Sequence, residues 1–277
     1  MTAPLTRSLI ALTAAGLLLT ACSTPAPSDS DDPLASYKAD GLRVAIANEV
    51  PWSYLEGDEL KGAEGDLIEY CAEELGIDNV EVSTTDWDGL LPGLGSNRWD
   101  VVVAGMSITE ERLQVGITTQ QLYAYGSKVM VLEGNPDDIH SWSDVAASGK
   151  TLGIISGGSY QAAIEELGVK LSLYPNFDAM VADMKAGRIT MAATAELSLS
   201  DYVAKNPGDG FEVAAPWDYE GISLSAPGWY FAKGKEALRD AVNDCVSGAK
   251  EDGTLAGLLD EYGFDSSTIG PAEPGRP

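Results

Sequence analysis

From residue 42 onward, short apolar runs alternate with amphipathic stretches about ten residues long. Residues 42–47 (LRVAIA), 80–84 and 100–104 (DVVVA) read as strands, the first and last nearly continuous in apolar side chains, as burial on both faces requires. Between the first two, residues 66–75 place Leu67, Ile68, Cys71 and Leu75 on one helical face. Asp66 stands near that helix's N-terminus, where an acid complements the dipole. Residues 88–94 predict a short helix. A second set follows Asn135-Pro136: strands over 151–155, 170–174 and 190–194, and helices over 160–167, 177–185 and 198–205. The apolar segment 128–132 (KVMVL) has the character of a strand leaving one lobe, and 229–232 that of the return. Residues 236–250 and 254–262 predict terminal helices. Strands alternating with helices of this length imply βαβ units and a mostly parallel sheet.

The two ends differ from this pattern. Arg7 precedes an apolar run that begins near Leu9 and closes with Leu19, Thr20, Ala21 and Cys22. That order resembles a lipoprotein signal peptide with a lipobox, which implies cleavage before Cys22 and lipid on its sulfur. A plain secretory signal is the alternative. The run is shorter than the roughly 20 apolar residues of a membrane-spanning helix. Residues 23–33 (STPAPSDSDDP) hold no large apolar side chain and predict a flexible spacer. The Pro- and Gly-rich stretch 266–277 reads as a flexible tail. What lies between is long for one compact unit and suits two lobes. The expected division is signal peptide 1–21, lipidated Cys22 and linker 22–39, first lobe 40–131 and 230–265, second lobe 132–229, and tail 266–277.

The formal net charge of −26 argues against nucleic acid as a partner, because phosphates would be repelled. It does not exclude a carboxylate ligand, which a single buried arginine can hold. With Cys22 lipidated, Cys71 and Cys245 remain. Each shares a helical face with apolar residues, so both can serve as buried thiols. Export to an oxidising compartment makes a disulfide between them the other reading. The single histidine, His140, lies in an unpatterned stretch. No cysteine–histidine or serine–histidine constellation and no transition-metal cluster is evident, so no cofactor or metal is expected.

Several motifs resemble the extracytoplasmic solute-binding proteins of ABC importers, in the family that captures polar amino acids and related solutes. They are 44–52 (VAIANEVPW), 87–94 (WDGLLPGL), 98–112 (RWDVVVAGMSITEER), 185–188 (KAGR) and 252–255 (DGTL). The resemblance implies an α/β, two-lobed, periplasmic-binding-protein-like (type II) fold with two crossing hinge strands. It also implies a small zwitterionic solute, permease and ATPase subunits as partners, a monomer, and a position on the outer face of the cell membrane, held through lipid on Cys22. Residues 48–52 and 104–106 resemble ectoine and hydroxyectoine binders most.

Arg112 follows the strand 100–104, whose carboxyl end should open onto a ligand crevice. A guanidinium there can grip a carboxylate through two parallel hydrogen bonds; an exposed pair with Glu110 or Glu111 is the alternative. By resemblance, Glu49 faces a delocalised cation with Trp52 and Trp87 as aromatic walls, Tyr54 is nearby and Gly105 belongs to the motif. Ser107 stands where the resembled binders carry an aromatic, which points to a more polar solute. Typical amino-acid binders place an aspartate at the position of Ala195. Glu196 either substitutes by a one-residue shift or is a solvated acid at a helix start. In the second lobe, Gly158, Ser159 and Tyr160 join a strand to a helix, where free N–H groups attract carboxylates. Trp217 and Tyr219 are weaker candidates for the rim. A capture protein is the leading function, with a cyclohexadienyl-dehydratase-like enzyme and an extracellular sensor as alternatives.

Overall fold

The computed structural model describes residues 32–220, 222, 225–271 and 273–276. The signal-peptide and Cys22 expectations lie outside them. Among the described residues, twelve strands follow in chain order. The first six are β1 (Leu42–Ile46), β2 (Tyr54–Glu56), β3 (Glu59–Lys61), β4 (Val80–Thr84), β5 (Val101–Val102) and β6 (Gly116–Thr118). The rest are β7 (Ser127–Leu132), β8 (Thr151–Ile155), β9 (Lys170–Tyr174), β10 (Met191–Ala195), β11 (Phe211–Val213) and β12 (Tyr230–Ala232).

They form two sheets, ordered β4-β1-β5-β12-β6 and β11-β7-β10-β8-β9, and a β2–β3 hairpin. Pairing follows the βαβ expectation where helices connect: β1 runs parallel to β4 and β5, and β8 parallel to β9 and β10. The sheets are nonetheless mixed. β12 is antiparallel to β5 and β6, and β7 is antiparallel to β10 and β11. Each of these strands enters its sheet from the other half of the chain, so it arrives against the local direction.

Alternation within the strands divides each sheet's core in two. Val44 and Ile46 pack with Leu67, Ile68 and Phe231 on one face, whereas Ala45 and Val102 meet Leu90, Leu94 and Trp99 on the other. The second sheet repeats this with Ile154 and Val131 against Trp142 on one face, and Met130 and Ala192 against Met180 and Leu199 on the other. Burial on both faces explains the near-continuous apolar runs.

Four of the expectations are corrected. Ser127–Leu132 pairs in the second sheet, so the first lobe ends before residue 131, near the Tyr125–Ser225 bridge. Residues 35–39 of the expected linker belong to the helix Ala35–Asp40, because Leu34 and Tyr37 find apolar cover in the first core. The tail is not free. Thr118 and Arg276 exchange backbone hydrogen bonds at the open edge of β6, and Asn243 donates to the Glu273 carbonyl. An uncovered edge strand is a ready template for another chain, and here Arg276 of the same chain pairs with it. The helix expected from residue 66 starts earlier, spanning Ala63–Glu74.

The crossing segments pair with each other. Tyr125 and Ser225 exchange backbone hydrogen bonds of 3.0 and 2.8 Å, and Leu122 donates to the Pro227 carbonyl. The loop after β5 joins them: Ile108 donates to Ala226, and Gly228 to Met106.

Of the two readings for the thiols, the structure has the disulfide. Cys71 and Cys245 are bonded across a sequence separation of 174, joining helices Ala63–Glu74 and Glu236–Asp252. Loop closure of that size gives about 5 kcal/mol in the chain-entropy model, and measured bridges more often give about 2–4. Replacing both cysteines by alanine should lower the unfolding free energy by about 2–4 kcal/mol in denaturant titrations. Unreduced, denatured protein should yield no free thiol from this pair on alkylation.

Candidate functional site

The site is built from strand ends. After β1 the chain turns through the cis Val50–Pro51 bond and brings Glu49 and Trp52 to the cleft between the sheets. After β5, Gly105 turns the chain toward Ser107 and the short helix Glu110–Leu113. Gly105 has φ +62°, and a Cβ there would meet the Trp52 ring at 3.3 Å. A side chain at this position is opposed by both conformation and space.

Thr109 caps the short helix through Oγ1, which accepts the Arg112 N–H. This aims Arg112 into the cleft, where it is only 8 % exposed. Its Nη1 donates to the Ser107 carbonyl and its Nη2 to the Gly157 carbonyl, both at 2.8 Å. The first contact lies within its own lobe and the second crosses to the other. Its Cζ lies 5.6 Å from the Trp87 ring centroid. Among the described residues, no carboxylate lies within ion-pair distance of the guanidinium, so the exposed pairing with Glu110 or Glu111 is set aside. Burial lowers its pKa.

Glu49 sits elsewhere on the same wall. Its Oε1 accepts a 2.7 Å hydrogen bond from Ser198 Oγ, in the second-lobe helix Glu196–Lys205. Desolvation pushes its carboxyl up to about 7, against the hydrogen bonds from Ser198 and Trp52. A cation beside it would reverse that effect. Trp52, 3 % exposed, leans on Tyr125 at 4.8 Å and edge-on to Phe264 at 4.4 Å. Trp87 Nε1 donates to the Gly157 carbonyl at 3.3 Å. From the second lobe, Ser159 Oγ donates to Ser107 Oγ at 3.2 Å, and Tyr160 OH donates to the Ala193 carbonyl at 3.0 Å.

Glu49, Trp52, Trp87, Ser107, Arg112, Gly158, Ser159 and Tyr160 therefore line one small cavity of about 30 Å³. That is room for about two waters and well below the roughly 300–1,000 Å³ of small-solute pockets, as expected of two lobes drawn together. Five candidates do not line it, among them the rim candidates Trp217, packed edge-on to Trp142, and Tyr219. Tyr54 lies two residues past Trp52, where the chain has already entered the β2–β3 hairpin. Gly105 stands behind Trp52, its amide donating to Glu64 and its carbonyl accepting from Tyr125 OH. Glu196 pairs with Lys128 Nζ at 2.6 Å and accepts from Tyr219 OH at 2.9 Å, so it neither faces the cavity nor stands alone in solvent. Ala195, just before it, does line the cavity.

The glycine pair also departs from expectation. The Gly157 amide is taken by Gln161 Oε1, and the Gly158 amide reaches back to Ile155. It is the Gly157 carbonyl that enters the site. Tyr125 and Thr194 are lining residues that sequence reasoning missed. Burial raises the Tyr125 pKa to about 12. His140 is spent locally, on Asp138 and the Pro216 carbonyl. Among the described residues, no cluster could hold a metal ion. The arrangement offers a guanidinium for an acid, a carboxylate for a cation, aromatic walls and a few hydroxyls.

The family model for bacterial extracellular solute-binding proteins, family 3, matches residues 42–265. A probable amino-acid ABC transporter periplasmic-binding protein of Sinorhizobium fredii is 34% identical, covering 85% of this chain and 81% of its own. The crystal structure of EhuB in complex with hydroxyectoine superposes with a TM-score of 0.78 at 30% identity, over 84% of this chain and 93% of that one. An ancestral arginine-binding protein bound to glutamine gives a TM-score of 0.73 at 30% identity, over 81% and 98%. Two of these are named as binding proteins, and the other holds a small solute.

A raised carboxyl pKa stabilises the folded state below the ordinary carboxylate range, and that stability is lost as pH rises toward the folded value. Without solute, the native protein should therefore lose melting temperature relative to Glu49→Gln between about pH 4.5 and 7. Parallel melts of the two proteins across that window check this. A constant difference between them would contradict the assignment.

Proposed function

The chain belongs to the bacterial extracellular solute-binding proteins, family 3, and from that premise we propose that it captures a small zwitterionic solute by closing two lobes around it. It is a non-enzymatic, extracytoplasmic component of an ABC importer, a role that implies permease and ATPase subunits as partners. The observation that carries the solute reading is the placement of Arg112 and Glu49 in one cleft, walled by Trp52, Trp87 and Tyr125. A guanidinium grips a carboxylate with two parallel donors, and a buried carboxylate beside aromatic faces neutralises a cation.

Closure is supported by contacts that span the lobes. Arg112 with Gly157, Ser198 with Glu49 and Ser159 with Ser107 each join residues of different sheets. A solute touching both sides stabilises the closed arrangement by its differential affinity for it. Polar amino acids and ectoine-like compatible solutes both fit this chemistry. EhuB, with hydroxyectoine, and the ancestral protein, with glutamine, represent the two classes. Lipid on Cys22 would hold the protein near its permease, a reading that rests on the lipobox at residues 19–22.

A thermal-shift screen of hydroxyectoine, ectoine, glycine betaine and polar amino acids tests this. A true solute at 100 times its dissociation constant should add about 2.7 kcal/mol of stability. With the best solute, Arg112→Lys should weaken binding roughly 10- to 100-fold by calorimetry, because an ammonium cannot reproduce the two-pronged contact. Unchanged affinity would remove Arg112 from the site.

A further inference from the structure

Glu64 is a fully buried acid that plays no part in lining the cleft. It stands in the first turn of helix Ala63–Glu74 and is 1 % exposed. Among the described residues no cation pairs with it. Its carboxylate accepts three hydrogen bonds instead: Tyr123 OH at 2.7 Å, the Gly105 amide at 2.9 Å and Trp229 Nε1 at 3.0 Å. The Glu64 amide also donates to the Trp52 carbonyl at 2.9 Å.

These donors come from different parts of the chain. Tyr123 lies on the segment leaving the first sheet, two residues before its bridge to Ser225. Trp229 ends the returning segment, immediately before β12. Gly105 opens the loop that carries Ser107 and the Arg112 turn, and its carbonyl accepts from Tyr125 OH at 2.8 Å. One carboxylate thus holds the outgoing crossing, the returning crossing and the binding loop. Leaving any of the three donors unpaired in this core would cost more than an average hydrogen bond contributes.

We propose that Glu64 is the positioning residue that ties both crossing segments to the Gly105–Arg112 loop, so that movement at the hinge and the geometry of the site are set together. It touches no solute. Its role does not depend on which solute the cleft takes. The chemistry of the tie is hydrogen-bond acceptance. A glutamine could therefore keep it, its amide oxygen serving Gly105 and Trp229 while its NH₂ donates to a reoriented Tyr123 hydroxyl. A leucine could not.

The test uses the full chain without solute and two readouts. One is hydrogen exchange at the Gly105 amide. The other is the interlobe distance distribution, from single-molecule dye pairs at Val115 and Leu173, which are 41% and 50% exposed. Glu64→Leu should speed Gly105 exchange at least about tenfold and broaden the distance distribution, while protection in β8, β9 and β10 stays native. Glu64→Gln should restore both readouts toward the native protein. If Glu64→Leu does not fold, Tyr123→Phe and Trp229→Phe, each releasing one crossing segment, should broaden the distribution in the same direction. Native exchange and distances in the folded variants would overturn the proposal. So would uniform loss of protection in both sheets, or Glu64→Gln behaving like Glu64→Leu.

Discussion

A guanidinium removed from water must be met by oxygen atoms, and the geometry around Arg112 follows from that constraint. The chain meets it with two backbone carbonyls, one from each side of the cleft. Carbonyls neutralise none of the positive charge, so its electrostatic cost persists while its hydrogen bonds are satisfied. The site is thereby held together by dipoles and left short of negative charge at one point. Glu49, which lines the same cavity, is in the converse situation, an acid with a hydroxyl and an indole for neighbours and its charge disfavoured. Two opposite charges, each poorly compensated by its own surroundings, give the cleft a polarity that a dipolar molecule can match.

The two mixed sheets make this possible. Were the chain two consecutive α/β domains, the site loops and the connection between halves would be remote from each other. Because β7 and β12 cross over, the connecting segments run directly behind the loop that carries Arg112, hydrogen-bonded to it at Met106 and Ile108. The aromatic group of Trp52, Tyr123, Tyr125 and Phe264 fills the space where these pieces meet.

Much of this was legible in the sequence, for identifiable reasons. Strands buried on both faces announce themselves, as 42–46 and 151–155 do, and strand ends marked by family motifs located Arg112, Glu49 and the tryptophans. Short elements carried too little periodicity: β2, β3 and β6 have three residues each. Tyr125 was missed because its facing depends on the path of a crossing segment, which no local pattern encodes. Glu196 was misplaced because β10 pairs Thr194 with Lys128, so the next acid along finds that lysine first. Glu64 carried a readable signal, an acid on the same helical stripe as Leu67, Ile68 and Cys71. A charge in such a stripe has to be answered by buried donors.

The Gly157 carbonyl has a consequence for how recognition can change over time. The partner that Arg112 finds across the cleft belongs to the main chain, so no replacement of a second-lobe side chain deletes that atom. Drift in that half can reshape the walls yet leave the arginine's foothold in place, whereas drift at residues 49, 52, 87 and 107 alters the chemistry offered to a guest. Variation in selectivity among descendants of this chain should therefore accumulate unevenly, concentrated on the half that carries the arginine.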